Sequence, residues 1–211
     1  MDKLDIVFAT TNKGKIKEVK EIMEDVNFNV LSMEDVGVEI EIVEDGETFE
    51  ENSMKKAIEV SKLCNKIVLA DDSGLEIDFL GKAPGIYSAR YMGEDVPYEV
   101  KNRVILRKME GVLEEQRTAR FLCAMSIVIP EELCPQLLKQ ERQFTEVSSL
   151  EGIIGHEPVG ENGFGYDPIF LVKEHNMTTA QMTTELKNQI SHRGKVLVIM
   201  KERLQTIFGR S

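Results

Sequence analysis

Cysteine is scarce in this chain, with three among 211 residues, and the three are Cys64, Cys123 and Cys134. An odd number of cysteines without a CxxC or Cys–His cluster argues against a disulfide framework and against a zinc site. Few, unpaired cysteines are typical of a reducing compartment, so we expect the protein to be cytoplasmic.

Long hydrophobic runs are also missing. No apolar stretch approaches the roughly 20 residues that a membrane-spanning helix needs, and the first residues, MDKLD, do not form the basic and apolar regions of a secretion signal. The apolar fraction of 42% is that of a soluble globular protein. A chain of 211 residues is long enough for one domain with a large core or for two small lobes.

Positive charge is in deficit, because 26 lysines and arginines face 37 aspartates and glutamates and leave a formal net charge of -11. Such a surface repels nucleic acid and anionic membranes, and we expect neither as a partner. A phosphate-bearing ligand would require a local basic pocket or a metal ion to overcome this charge.

The hydrophobic pattern predicts strands and helices in alternation. Strands are expected over residues 4–10, 28–31, 67–71, 75–80, 119–129, 144–147 and 169–172. Helices are expected from residue 15, from a capping box at Thr48, and over residues 100–109, 179–189 and 195–208. The mixture indicates an α/β fold, a twisted mixed sheet with flanking helices and two lobes around an active-site cleft.

Two adjacent carboxylates, Asp71 and Asp72, follow the apolar run 67–70 and precede Ser73 and Gly74. Strands that stop in such a cluster commonly place it at the edge of a sheet where α/β proteins bind ligands. Neighbouring carboxylates repel each other, which is tolerable if they hold a cation such as Mg²⁺ or if one acts as a base. An ordinary solvated turn uses the same residue types.

A loop with the sequence TTNKGK, residues 10–15, runs from the first strand into the first helix. Free N–H groups at a helix N-terminus favour an anion, and the hydroxyls and lysines add donors, so the loop resembles a phosphate-binding loop without being a Walker A sequence. A capped helix start with solvated lysines has the same composition.

The segment TFEENSMKKA, residues 48–57, places Asn52 and Lys56 four residues apart on one helix face, where they are able to reach a phosphate ester. The preceding acidic loop contains Glu44, a candidate metal ligand. The alternative is a solvated helix surface with an ion pair between Glu51 and Lys55.

In the segment GFGYDP, residues 163–168, glycines flank Phe164 and allow the backbone to approach a flat ligand closely. Stacking of a base on Phe164 would contribute about 1–3 kcal/mol. A tight loop around a core aromatic ring is the alternative.

The segment SHRG, residues 191–194, combines His192 and Arg193 with Lys187 one turn earlier. These side chains form a donor cluster of the kind that recognises carbonyl oxygens and phosphates. Alternatively, Ser191 caps the last helix and its neighbours are surface residues.

Together these segments resemble the inosine triphosphate pyrophosphatase family, also called Ham1-like, in its bacterial branch. The resemblance runs nearly end to end and in the family's order. It rests on TTNKGK at 10–15, TFEENSMKKA at 48–57, LADDSGLEID at 69–78, APGIYSARY at 83–91, GFGYDPIF at 163–170 and ISHRG at 190–194. Ser53 stands where the family usually has alanine and Lys82 where it usually has glycine, and residues 131–150 contain none of these motifs, so the resemblance assigns them no function.

The resemblance implies one nucleoside-triphosphate pyrophosphatase domain over residues 1–211, a homodimer, and an elongated fold. It implies hydrolysis of deaminated purine nucleoside triphosphates (ITP, dITP, XTP) to the monophosphate and pyrophosphate with Mg²⁺. Asp72 would be the catalytic residue, as general base or as the carboxylate that positions a metal-bound water, and the metal ligands would be Asp72, Glu44 and Asp71. The substrate-binding residues would be Thr10, Thr11, Asn12, Lys13, Gly14, Lys15, Lys56, Ser73, Phe164, Gly165, Tyr166, Asp167, Lys187, His192 and Arg193.

Base selection has a simple expected basis. Donors from His192 and Arg193 would pair with the oxygen at C6 of hypoxanthine or xanthine and would face an amino group in adenine. Other interpretations remain open from the residues: a Maf-like nucleotide pyrophosphatase of different substrate range, a nucleotide sensor without turnover, or a phosphatase with an aspartyl nucleophile.

Overall fold

The computed structural model of the chain describes residues 3–24 and 28–209. Its strands are β1 (Leu4–Phe8), β2 (Phe28–Ser32), β3 (Ile67–Ile77), β4 (Thr118–Val128), β5 (Gln143–Ile154), β6 (Phe170–Val172) and β7 (Met177–Thr178). Its α-helices are α1 (Lys13–Ile22), α2 (Phe49–Cys64), α3 (Tyr98–Lys108), α4 (Lys139–Arg142), α5 (Thr184–Ile190) and α6 (His192–Phe208).

The strands form one seven-stranded sheet in the order β2-β1-β3-β4-β5-β6-β7. β1 pairs in parallel with both β2 and β3, whereas β6 pairs antiparallel with both β5 and β7. The sheet is therefore mixed and carries helices, which confirms the predicted α/β class.

The prediction of two separate strands, over residues 67–71 and 75–80, is wrong, because β3 is continuous from Ile67 to Ile77. The neighbouring strand β1 stops earlier: its last paired residue, Phe8, lies opposite Leu69. The two acids therefore lie just beyond the carboxyl end of β1, and not at the end of their own strand. A cluster of turn-forming residues misleads here because partners distant in sequence compensate the buried carboxylates.

Other boundaries differ from the expected ones. Helix α5 begins at Thr184 and not at residue 179, because Thr183 is its N-cap and accepts a hydrogen bond from the backbone N–H of Leu186. Strand β5 continues to Ile154, well past the expected end at residue 147, and the two-residue strand β7 was not predicted.

The predicted helix start at Thr48 is confirmed, whereas α1 begins at Lys13, two residues before the expected residue 15. The side chain of Asn12 accepts from the backbone N–H of Lys15 at the start of α1, and the Thr48 hydroxyl accepts from Glu51 at the start of α2. Each cap satisfies a donor that the first helical turn leaves without a partner.

The chain divides into two compact units. Unit 1 comprises Met1–Asp72, Cys123–Ser148 and Arg193–Ser211, and unit 2 comprises Ser73–Leu122 and Ser149–His192. The core of unit 2 is a single cluster that includes Leu75, Phe121 and Phe170.

Unit 1 has a core on each face of its part of the sheet. Ile67 and Leu69 belong to a cluster with residues of α1 and α6, whereas Val68 and Ala70 belong to a cluster with residues of α2. Successive side chains of a strand point to opposite faces. The same alternation sends Asp71 towards α1 and α6 and Asp72 towards α2.

Across residues 3–24 and 28–209, no helix is both long enough and apolar enough to cross a membrane.

Candidate active site

The loop between β1 and α1 contains the predicted phosphate-binding residues. Thr11, Asn12 and Lys13 are exposed, and Thr10, Gly14 and Lys15 are half-buried. The Asn12 backbone N–H donates to the Thr10 hydroxyl at 3.2 Å, which folds the loop back before the helix begins. The arrangement leaves exposed polar groups in front of a capped helix N-terminus, as anion binding requires.

Asp71 is completely buried and is surrounded by cations. Lys15 Nζ lies 3.1 Å from its Oδ1, and Arg193 donates to its Oδ2 from Nε at 3.2 Å and from Nη2 at 2.9 Å. Arg193 Nη1 also pairs with Glu18 of α1. Burial would raise the pKa of the Asp71 carboxyl, but Lys15 and Arg193 outweigh it and hold the pKa well below its usual range.

Asp72, one residue further along β3, has different surroundings. Asn52 Nδ2 of α2 donates to its Oδ2 at 3.1 Å, and Lys56 Nζ lies 3.8 Å from its Oδ1. Burial raises the pKa of Asp72; Lys56 opposes this rise and the nearby Glu44 adds to it. Asp72 is thus a buried carboxylate whose pKa is raised, which suits a proton acceptor.

Lys56 Nζ also lies 2.6 Å from Oε1 of Glu44, so one ammonium group serves two carboxylates. Burial would lower the pKa of Lys56, but Asp72 and Glu44 together raise it, and the lysine stays charged. Glu44 and Asp72 thus face the ammonium group of Lys56, whereas Asp71 and Glu18 face Lys15 and Arg193.

A divalent cation fits the Asp72 face better than the Asp71 face. Mg²⁺ usually binds through one or two carboxylates together with substrate phosphates, and Glu44 and Asp72 supply two that converge on Lys56. Both oxygens of Asp71 already accept from cationic side chains. Among the residues that the structure describes, no three His, Cys, Asp or Glu side chains are grouped as a metal site. The ligand set of three carboxylates therefore stays a prediction.

In unit 2, the loop 163–167 is organised by Asp167. Its Oδ2 accepts from the Phe164 backbone N–H at 2.8 Å and from Lys187 Nζ at 2.6 Å, and its Oδ1 accepts from the Thr179 hydroxyl at 2.8 Å. The Lys187 ammonium also lies 5.0 Å from the centroid of the Phe164 ring. Lys187 thus belongs with the aromatic ring that was predicted to stack on a base.

Glycine is required at position 163 of this loop. Gly163 has φ +75°, and a Cβ there would lie 2.1 Å from Oδ2 of Asp167 and 3.0 Å from Nζ of Lys187. The Gly165 carbonyl accepts from Asn102 Nδ2 at 3.1 Å, and the buried Tyr166 hydroxyl donates to the Ser88 carbonyl at 2.9 Å. Tyr166 is therefore an anchor of the loop.

The predicted donor pair His192 and Arg193 lies at the start of α6, and the two side chains have separate partners. His192, in unit 2, stacks on Phe121 with ring centroids 5.0 Å apart and an interplanar angle of 18°. Arg193, in unit 1, donates to Asp71 and Glu18. Their joint action on a base stays a prediction, and the guanidinium contacts assign Arg193 to the Asp71 face.

Several residues that hold the acids of β3 or the loop 163–167 in place are not among the site residues predicted from the sequence. Glu18 partners Arg193 across 175 positions of sequence, and Thr179 and Ser88 anchor the loop 163–167 from other segments. No local pattern marks these partners. Asn52 had a visible signal, its position four residues before Lys56, but its amide contacts Asp72 where a phosphate ester was expected.

Comparison with known proteins places these groups in a family context. Residues 6–203 match the model of the Ham1 family. The chain is 46% identical over 201 residues to the dITP/XTP pyrophosphatase of Bacillus subtilis (strain 168), covering 95% of this chain and 97% of that protein. It is 47% identical over 193 residues to the dITP/XTP pyrophosphatase of Bacillus licheniformis, covering 92% and 94%.

Solved structures agree with the sequence matches. The Ham1 protein of Staphylococcus aureus superposes with a TM-score of 0.81 at 37% identity, over 96% of this chain and 98% of that one. The acids of β3, the loop before α1 and the loop 163–167 all lie within the matched residues. On sequence and fold alike, this chain belongs to the Ham1 family.

Proposed function

We propose that this protein hydrolyses deaminated purine nucleoside triphosphates, namely ITP, dITP and XTP, to the nucleoside monophosphate and pyrophosphate. The observation that carries the proposal is the pair of unlike acids on β3, where Asp71 is neutralised by Lys15 and Arg193 while Asp72 and Glu44 share Lys56. The names of the relatives, dITP/XTP pyrophosphatase, support the choice of substrate.

Asp72 is assigned the role of general base in this proposal. It takes a proton from the attacking water; the water oxygen forms a bond to the α-phosphorus, and the bond from that phosphorus to the bridging oxygen breaks. The electron pair of that bond leaves with pyrophosphate. A positioned general base contributes about 10²–10⁴-fold to such a reaction.

Lys15 and Lys56 are the proposed cationic partners of the triphosphate. Both ammonium groups already face carboxylates, so their positions are fixed before substrate binds. The exposed donors of the loop 10–15 would contact phosphate oxygens at the N-terminus of α1. Prepositioned donors of this kind stabilise the negative charge of the leaving group.

Glu44 and Asp72 are the residues that would hold Mg²⁺, since their two carboxylates converge on one ammonium group. The ion would supply neutralisation of phosphate oxygens and a lower pKa for the attacking water. Asp71 is assigned a different role, to hold Lys15 and Arg193 in place.

Base recognition is assigned to the loop 163–167 and Lys187. Phe164 would stack on the purine, and the Lys187 ammonium, 5.0 Å from the centre of that ring, would donate to the oxygen at C6. Adenine places an amino group at C6, and a buried donor without an acceptor costs about 1–3 kcal/mol. This cost disfavours ATP, while discrimination against GTP requires a further contact near C2.

The proposal is tested by the phosphate products. The purified protein is incubated with Mg²⁺ and with ITP, XTP, GTP or ATP at equal concentration, and every product is identified. Pyrophosphate and monophosphate from ITP and XTP, with little from ATP, are expected. Orthophosphate would indicate a phosphatase, and binding without turnover would indicate a sensor; either result contradicts the proposal.

The site of attack is tested by hydrolysis of ITP in water labelled with ¹⁸O. Attack at the α-phosphorus places the label in the monophosphate. Label in pyrophosphate would show attack at the β-phosphorus and would contradict the assigned reaction.

A homodimer and a cytoplasmic location, which the resemblance and the cysteine usage led us to expect, stay predictions. Light scattering coupled to size-exclusion chromatography tests the first, since a dimer would have twice the chain's mass of 23.9 kDa.

A further inference from the structure

We infer that Asn52 is a positioning residue whose amide joins the acidic loop 44–47 to Asp72 and thereby fixes Glu44 and Asp72 relative to each other. The inference rests on the proposed function, since it assigns Asn52 to the same reaction. It concerns a side chain for which the sequence suggests a phosphate ester as partner and to which the structure gives Asp72.

The Asn52 side chain is fully buried and both of its polar atoms are used. Its Oδ1 accepts from the Gly46 backbone N–H at 2.8 Å, and its Nδ2 donates to Asp72 Oδ2 at 3.1 Å. An N–H group requires an acceptor and a carboxylate requires a donor, so these partners fix the orientation of the amide. One side chain therefore links a loop to a strand through the first turns of α2.

The backbone of the loop 44–47 packs directly against α2, so a change at Asn52 should displace the loop. A Cβ at Gly46 would lie 2.8 Å from Oδ1 of Asn52 and 2.9 Å from Cβ of Glu51. The next backbone N–H, that of Glu47, donates to Glu51 Oε2 at 2.7 Å. Two successive N–H groups of the loop are thus bound to α2, immediately after Glu44 and Asp45.

The link has a counterpart one turn further along α2. Lys56 lies four residues after Asn52, and its ammonium contacts both Glu44 and Asp72. Residues four apart occupy the same helix face. Asn52 and Lys56 therefore hold the same two partners, the loop and the strand, and only Lys56 does so with a charge.

Neutrality explains why an amide suits this position. A second cation beside Asp72 would reproduce the surroundings of Asp71, which Lys15 and Arg193 neutralise. A carboxylate at position 52 would add a third negative charge. The amide orients Asp72 without adding a charge of either sign beside it.

The test uses Asn52→Ala and Gly46→Ala, which break the link from its two ends, and the double variant. Side chains that orient metal ligands typically change metal affinity or activity by about 10–100-fold when removed. We expect kcat for ITP and the affinity for Mn²⁺, measured by calorimetry on the nucleotide-free protein, each to fall about tenfold or more. KM for ITP should change by less than about threefold, since uniform binding contacts are retained.

The double variant sharpens the test, because both substitutions disrupt the same hydrogen bond: Asn52→Ala removes its acceptor, and Gly46→Ala places a Cβ against that acceptor. We expect it to be no worse than the more affected single variant, and fully additive losses would overturn the inference. Wild-type Mn²⁺ affinity and kcat in Asn52→Ala would also overturn it. If Asn52→Ala does not fold, Gly46→Ala, in the loop, decides by the same criteria.

Ser61→Ala is the matched control. Ser61 is a buried polar residue of the same helix, and its hydroxyl donates to the Lys66 carbonyl at 3.1 Å. Its loss should lower thermal stability and leave kcat and Mn²⁺ affinity unchanged. Because calorimetry uses no nucleotide, a failure of the proposed hydrolysis would appear as absent turnover with the effects on Mn²⁺ affinity intact.

Discussion

The two faces of β3 in unit 1 carry the same functional group in opposite surroundings. Asp71, on the face of α1 and α6, accepts from two cationic side chains, and its pKa is held far below the usual range. Asp72, on the face of α2, accepts from a neutral amide and shares one lysine, and burial raises its pKa. Because successive side chains of a strand point to opposite faces, the two adjacent acids have different proposed roles: Asp71 holds cationic side chains in place, and Asp72 acts as the base.

The largest expected effect is on the α2 face. Asp72→Asn should lower kcat for ITP by about 10²–10⁴-fold, because the general base is lost. Pre-steady-state product measurement and nucleotide binding report chemistry and affinity separately. Asp5→Asn, which removes an acid of β1 that pairs with Lys66, serves as the control and should leave kcat unchanged. Near-normal turnover in Asp72→Asn with intact binding would remove Asp72 from the mechanism.

The next effect concerns Arg193 on the opposite face. Arg193→Ala leaves Asp71 and Glu18 without their shared cation, and breaking a buried ion pair costs about 3–5 kcal/mol of the free energy of unfolding. Urea denaturation measures this loss. Arg203→Ala, which removes a more exposed arginine paired with Glu146, should cost about 1 kcal/mol or less.

Arg193→Lys tests whether Arg193 holds Asp71 in place or recognises the base of the nucleotide. It keeps the charge beside Asp71, so the preference for ITP over ATP in kcat/KM should survive. A loss of that preference without a loss of stability would restore the interpretation of Arg193 as a base-reading residue.

The pH dependence of stability tests the ion pairs on the Asp71 face. Because the pKa of Asp71 is lowered by folding, its stabilising contribution is complete above the unfolded pKa of about 3.9 and is lost as pH falls below it. The difference in unfolding free energy between the wild type and Asp71→Asn should therefore be constant near neutrality and shrink below about pH 4. A difference that grows towards low pH would contradict the assigned ion pairs.

The smallest effect is expected from the cap of α2. Thr48→Ala removes an acceptor for the Glu51 N–H and should cost about 0.5–2 kcal/mol of stability. Because α2 carries Asn52 and Lys56, kcat should fall by a few-fold, whereas loss of the α1 cap in Asn12→Ala should act on KM for nucleotide. Equal changes in kcat and KM for both variants would contradict the assignment of α2 to catalysis and of the α1 cap to nucleotide binding.

The sequence predicts this site in part. The strand–loop–helix at residues 4–22, the capped start of α2 and the identity of the acids follow from local patterns of hydrophobicity and capping. The continuity of β3 does not, because Asp71 and Asp72 are compensated by Arg193 and Asn52 from distant segments. Nor does the separation of His192 from Arg193, since neighbours at the start of α6 point to different partners.

Local sequence therefore identifies the chemistry of these residues more reliably than their pairing. Residue types that carry charge or stack on rings are visible in a motif, whereas the partner that neutralises each charge is set by tertiary contacts. Glu18 shows this most clearly: nothing around it distinguishes it from the other acids of a strongly acidic chain.

The most direct test of the account is the free energy of unfolding of Asp71→Asn and Asp72→Asn, measured side by side in urea at neutral pH without metal or nucleotide. The account predicts that Asp71→Asn loses about 3–5 kcal/mol, because Lys15 and Arg193 lose their buried counter-charge. We expect Asp72→Asn to stay within about 1 kcal/mol of the wild type or to exceed it, since the substitution removes a buried charge whose pKa burial raises. Equal losses in the two variants would contradict the claim that Asp71 stabilises the fold through its ion pairs whereas Asp72 does not.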